Sequence, residues 1–247
     1  VIKNIIFDFD DTLADCGIFY REQQNKFAAY QASRTGLPVE LISKLRESID
    51  VHFTQTPDGF NRVRFPRSFA STSMTIDVML GNKVDEVAAY QSFELGDEVF
   101  NAMYPLCPGI PEMLDSFRDA GHQLFLLTKG DFEVQTRKIV LNGLDRWFQK
   151  DRMYIVPQKT PQSLQRVLDD HGLNTTDTIV VGDSLRDDIA NAHAVGCESV
   201  WVSGRHNAAW AYENTQVEVI YSTENAADLG NLLDPKTGNF TIAVSSR

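Results

Sequence analysis

Five short runs of β-branched and aromatic residues do most to limit what this chain can fold into: "VIKNIIFDFD" (1–10), "HQLFLLTKGD" (122–131), "RMYIVPQK" (152–159), "DTIVVGDS" (177–184) and "CESVWVSG" (197–204). Each stays apolar for about the length of a buried strand and then turns polar. The patterns between them, "GIPEMLDSFRDAG", "DFEVQTRKIVLNGL", "TPQSLQRVLDDHGL" and "SLRDDIANAHAVG", have helical periodicity, and several close on Gly in the manner of a helix C-terminus. Strand alternating with helix predicts an α/β fold with a doubly wound, mainly parallel sheet covered on both faces. Right-handed crossovers then bring the C-terminal strand ends, with their polar residues, to the one edge where open sheets bind ligands.

Residues 15–104 break this rhythm. They read as helices, "IFYREQQNKFAAYQASRTG", "PVELISKLRESIDVHF", "ASTSMTIDVMLG" and "KVDEVAAYQSFELGDEVFNAMY", with "PDGFNRVRFPRSF" (57–69) expected as a loop. A helical segment lodged between the first strand and the rest of the sheet predicts an inserted domain. The expected organisation is a core of residues 1–14 and 105–234, a helical insertion of 15–104 and a polar tail of 235–247.

The sequence "IIFDFDDTLAD" places Asp8, Asp10, Asp11 and Asp15 at and just beyond the mouth of the first strand. Carboxylates this close repel one another unless a cation, a proton or solvent relieves them. A cation points to chemistry. The bland readings are that Asp11 shapes the turn and Asp15 lies on a linker. A net charge of −11 argues against nucleic-acid partners, while a small anionic substrate needs only local positive charge. No apolar stretch is long enough for a bilayer span, and a basic segment followed by a signal-type run is lacking, so no membrane partner and a cytoplasmic location are expected. The three cysteines, Cys16, Cys107 and Cys197, have no paired spacing, and the five histidines show no metal-ligand spacing. A thiol nucleophile at Cys16 is not expected, since no base accompanies it in sequence.

Four polar elements end the first four strands: "DFDDT" (8–12), Thr128 in "LLTKG", Lys159 in "PQKTP" and "GDSLRDD" (182–188). Together and in this order they resemble the four motifs of the haloacid dehalogenase superfamily of phosphotransferases, from residue 1 to about 205. The resemblance implies a Rossmann-like core with a helical cap inserted after the first motif, and a set of roles. Asp8 would be the nucleophile that forms an aspartyl-phosphate. Asp10 would protonate the leaving oxygen and later take a proton from water. Mg²⁺ would be held by Asp8, the backbone carbonyl of Asp10, and Asp183. Thr128 and Lys159 would stabilise the transferring phosphoryl group. Asp187 or Asp188, with Asp188 favoured, would support the metal or hold Lys159.

The motif departs from the family in one place. Pro commonly follows the Lys directly, whereas Thr160 intervenes here, which leaves Lys129 and Lys150 as competing candidates; alternation turns Lys129 away, and Lys150 precedes its strand.

The implied activity is hydrolysis of a small phosphorylated metabolite. Asp10 argues against dehalogenation, since a halide leaves without a proton. A phosphomutase, a phosphonate hydrolase using a cap lysine, and a phospho-acceptor switch that does not turn over are the alternatives. Substrate choice is expected from the insertion, where Arg62, Arg64 and Arg67 with Phe60, Phe65 and Phe69 can grip an anionic or ring-bearing leaving group. A solvated basic loop with aromatics packed beneath is the competing reading.

Overall fold

The computed structural model describes residues 1–54, 61–203, 217–234 and 236–240; Phe60, His206 and most of the expected tail lie outside the described residues. Six parallel strands form one sheet in the order β3-β2-β1-β4-β5-β6: β1 (Asn4–Phe7), β2 (Gln123–Lys129), β3 (Met153–Val156), β4 (Thr178–Gly182), β5 (Glu198–Val202) and β6 (Ser222–Thr223). The register pairs Phe7 of β1 with Leu126 of β2 on one side and Val181 of β4 on the other. The two-residue β6 carries no readable periodicity and was not expected from sequence.

Alternation sorts each strand's residues between two faces. Ile6, Phe125, Leu127 and Val180 point to one face and pack with Leu164, Val167 and Leu168 of α7 (Pro161–His171) and with Ala192 of α8 (Ala190–Val195). Phe7 lies on the opposite face and meets Phe148 edge-to-face, with ring centroids 6.3 Å apart. Each such side chain, fully buried, contributes about 1.5–3 kcal/mol.

Among the described residues, five α-helices lie between β1 and β2: α1 (Gly17–Thr35), α2 (Val39–Thr54), α3 (Arg64–Met79), α4 (Glu86–Asp97) and α5 (Ile110–Asp119). The chain divides into two compact units, Val1–Gly17 with Tyr104–Arg247, and Ile18–Met103.

Within the helical unit, α3 begins at Arg64, so the second half of the expected loop is helix. Pro66 occupies the first turn, where a missing N–H costs nothing. Phe65, Phe69, Thr72 and Ile76 follow at helical spacing and are buried. Gly96 of α4 lets that helix approach Pro66, since a Cβ there would come within 2.6 Å of the Pro66 Cα. A buried polar seam accompanies this contact: Gln31 donates to Ser92 Oγ at 2.9 Å, and Arg34 pairs with Asp77 at 2.7 Å.

In the sheet unit, α6 (Phe132–Leu141) follows β2 and starts on Asp131, whose carboxylate accepts from the amides of Glu133 and Val134. Among the described residues no helix is long and apolar enough to cross a membrane.

Candidate active site

β1 delivers Asp8 immediately after its last residue, and the Asp8 amide extends the ladder by donating to Val181 O at 2.9 Å. The chain then turns sharply, with Phe9 O accepting from Leu13 at 2.9 Å and from Ala14 at 3.1 Å. Asp11 shapes this turn. It has φ 59°, and its Oδ1 accepts from the amides of Cys16 (3.0 Å) and Gly17 (2.7 Å), at the N-terminus of α1. The structural reading of Asp11 is therefore the one its contacts support.

Asp8 is buried and accepts from Thr12 Oγ1 at 3.2 Å through Oδ2, while its Oδ1 meets Lys159 Nζ. Lys159 follows β3, is buried too, and bonds a second carboxylate, Asp188 Oδ1, at 2.6 Å. The intervening Thr160 has a local explanation. It caps α7, exchanging hydrogen bonds with Ser163, and Pro161 takes the first helical position. Lys129 lies elsewhere, paired with Asp187.

Asp183 follows β4, and its carbonyl accepts from the Trp201 indole at 2.8 Å. The next residues, Leu185–Ile189, form a single π-helical turn in which Asp188 and Ile189 both donate to Ser184 O. This turn sends the two acidic neighbours in different directions. Asp188 points inward to Lys159 and accepts from the Ser184 amide at 3.1 Å; Asp187 points to Lys129 and Arg186. Gly182 makes room, because a Cβ there would sit on the Asp188 carboxylate.

Carboxylate oxygens of Asp8, Asp183 and Asp188 lie within 4.8 Å of one another. Burial, with the charges of Asp188 and Asp10, raises the Asp8 carboxyl to about 7 despite the opposing pull of Lys159. Burial raises Asp183 likewise, helped by Asp8 and Asp188. Burial opposes the Lys159 ammonium, but Asp188 and Asp8 outweigh it and hold it above the ordinary lysine range. Asp187 behaves differently: burial is outweighed by Arg186 and Lys129, which hold it at about 2.

Asp10 stands apart from this cluster. Its Oδ1 accepts from Lys138 Nζ at 2.6 Å and from Cys16 Sγ at 2.9 Å, and its Oδ2 accepts from Gln135 Nε2 at 2.7 Å. Burial would raise Asp10, but Lys138, Cys16 and Gln135 together leave it below the usual carboxylate range. Thr128, fully buried at the end of β2, accepts from the same Gln135 amide at 2.6 Å. Sequence reasoning missed Gln135, Lys138 and the place of Gly182. The signal for the first two was their spacing on the helix that starts just after Thr128.

The three arginines keep to the helical unit. Arg62 pairs with Asp97 at 3.2 Å and lies over the Phe100 ring, Arg64 pairs with Asp50, and Arg67 lies 5.0 Å from the Phe53 ring centroid. Phe65 and Phe69 are buried.

A protein-family model described as haloacid dehalogenase-like hydrolase matches residues 2–196. The chain belongs to this family. The hydrolase is 28% identical over 209 residues to a glyceraldehyde 3-phosphate phosphatase of Pyrococcus abyssi, covering 81% of each chain. It is 25% identical over 132 residues to the pyrimidine 5′-nucleotidase PynA of Streptococcus pneumoniae, covering 51% of the hydrolase and 53% of that protein. A haloacid dehalogenase-like family hydrolase from Xanthomonas campestris superposes with a TM-score of 0.72 at 23% identity, covering 93% of this chain and 89% of that one. The HAD-hydrolase YfnB of Bacillus subtilis, solved with magnesium, superposes with a TM-score of 0.62 at 14% identity, covering 94% and 99%. Likeness at these two identities speaks to the fold.

The donors of the hydrolase fit a hard cation. They are oxygens only, and three carboxylates beside one ammonium leave two negative charges that a divalent ion would offset. Burial is the main reason the Asp8 and Asp183 carboxyls are raised, and the carboxylates facing one another add to it.

Proposed function

We propose that the protein is a Mg²⁺-dependent phosphomonoester hydrolase that works through an aspartyl-phosphate on Asp8. The observation that carries this reading is Asp8 itself: a strand-end carboxylate, buried, bonded to Lys159 and within one oxygen cluster with Asp183 and Asp188. The curated relatives named above, a phosphatase and a nucleotidase, support the same class of reaction.

In the first displacement an Asp8 oxygen attacks phosphorus, the ester P–O bond breaks, and Asp10 gives its proton to the departing oxygen. Water then attacks the same phosphorus, passes its proton to Asp10, and frees phosphate and Asp8. Asp10, held as a carboxylate by Lys138, is in the form the second step needs; the dianionic substrate raises its proton affinity for the first. Lys159 and the Thr128 hydroxyl would stabilise the charge spread over the phosphoryl oxygens. Asp8, Asp183 and the Asp10 carbonyl would hold Mg²⁺, with Asp188 in support, and the ion when bound supplies charge neutralisation for the attacking and phosphoryl oxygens. The helical residues 15–104 would act as the cap that selects a small phosphorylated substrate, with Arg62, Arg64 and Arg67 among its contacts.

The test is release of phosphate from a panel of phosphorylated metabolites and a generic aryl phosphate. Turnover should vanish with a chelator and return with Mg²⁺. Full turnover by metal-free protein would refute the site as drawn, and phosphorylation without release would favour the switch.

A further inference from the structure

We propose that Gln135 and Lys138 of α6 are positioning residues that fix the Asp10 carboxylate and the Thr128 hydroxyl for one and the same displacement; this rests on the hydrolase reading above.

The pattern of α6 itself motivates it. Two polar residues of this helix are buried beside Ile139, Gln135 at 2% and Lys138 at 5% exposed, while Phe132 is 68%, Val140 69% and Leu141 50% exposed. Hydrophobic burial alone would not choose to enclose Gln135 and Lys138 while leaving Phe132, Val140 and Leu141 in solvent. A lysine enclosed this far must be paired to be tolerated. Its partners are Asp10 Oδ1 at 2.6 Å and the Tyr104 ring, 4.6 Å away at the centroid, so the ammonium is held from two sides.

One turn earlier, the Gln135 amide nitrogen reaches Asp10 Oδ2 (2.7 Å), Thr128 Oγ1 (2.6 Å) and Lys129 O (3.0 Å). The two helix residues therefore take one Asp10 oxygen each, which fixes the plane of the carboxylate. The Gln135 amide has two hydrogens for these three acceptors; with one shared to Thr128 Oγ1, the Thr128 hydroxyl hydrogen is left for another acceptor, the part a phosphoryl oxygen would fill. Residues three apart share a helix face, and this face joins the ends of β1 and β2.

The experiment follows leaving-group release in a single turnover, with enzyme in excess and Mg²⁺ present, so that the first displacement is read apart from the later hydrolysis of the phosphoryl-enzyme. It compares 4-nitrophenyl phosphate, whose leaving group departs readily without a proton, with glycerol phosphate, whose leaving group requires one. The variants are Asp10→Asn, Lys138→Met, Lys138→Arg, Gln135→Leu and the Asp10→Asn/Lys138→Met double. Lys138→Met should lower the single-turnover rate on the alkyl ester at least about tenfold more than on the aryl ester, while the concentration for half-maximal rate moves little, as for an interaction made only in the transition state. Lys138→Arg should restore part of the loss. The double variant should be no worse than Asp10→Asn alone, because a residue acting through Asp10 has nothing left to act on.

Equal losses on both esters, or additive losses in the double, would overturn the proposal. If Lys138→Met does not fold, Lys138→Arg and Gln135→Leu are judged by the same ester contrast. If Asp10→Asn itself shows no contrast, the hydrolase reading of Asp10 fails and this inference falls with it. A contrast in Asp10→Asn without one in the α6 variants would refute the positioning role alone.

Discussion

Lys159 Nζ lies 2.6 Å from Asp188 Oδ1, and the same ammonium meets Asp8, so one buried cation ties the end of β1 to the turn after β4. Asp188 thereby sets where the Lys159 charge stands relative to Asp8. Lys159→Met should lower kcat by about 10²–10³, the usual loss when a donor to developing negative charge is removed. Asp188→Asn should fall in the same direction but less, because Lys159 keeps Asp8. Gly182→Ala should act like Asp188→Asn, since the added methyl displaces that carboxylate. Steady-state kinetics with circular dichroism to confirm folding checks all three; an active Gly182→Ala would show that the Asp188 position does not matter.

The ends of the strands were legible from the sequence because each apolar run stops at a polar residue, and parallel topology carries those stops to one edge. Which neighbour points inward was not legible from periodicity, and the preference for Asp188 rests on the family resemblance. Asp187 and Asp188 differ by one position in a π-helical turn, a geometry that no periodicity announces. The start of α3 was hidden for a different reason: Pro66 reads as a breaker unless it is known to lie in the first turn. Gln135 and Lys138 escaped because polar residues on a helix read as its wet face, and here the buried carboxylate of Asp10 reverses that rule.

In the helical unit, Asp77 accepts from the Asp85 amide at 3.0 Å and from Arg34 at 2.7 Å. Burial alone would raise its carboxyl, but these two donors outweigh burial and leave it below the ordinary value. A lowered folded-state pKa means stabilisation that is complete above about pH 4 and is lost as the pH falls through the folded value. Asp77→Asn should cost about 1–3 kcal/mol at neutral pH by denaturant melts. The gap between wild type and variant should narrow on acidification. A gap that widens toward acid would reverse the assigned direction.

The arginines test the cap as the source of selectivity. Arg62 and Arg67 carry exposed side chains, whereas Arg64 is committed to Asp50. Single Ala changes at Arg62 and Arg67 should therefore raise KM for the best substrate of a metabolite screen more than for a small aryl phosphate, with kcat little altered. Arg64→Ala should in addition destabilise the fold, because it leaves Asp50 short of a partner. Equal, small kinetic effects on both substrates would make Arg62 and Arg67 a solvated surface.

The covalent step is tested most directly on Asp8. Protein mixed with substrate and Mg²⁺, quenched in acid and analysed by mass spectrometry, should carry one phosphoryl group on the peptide containing Asp8. Asp8→Asn should carry none and should lose turnover, while Asp10→Asn should still carry the group and turn over at least about a hundredfold more slowly. Substantial turnover by Asp8→Asn, or a phosphoryl group trapped on a different residue, would contradict the assignment of the nucleophile.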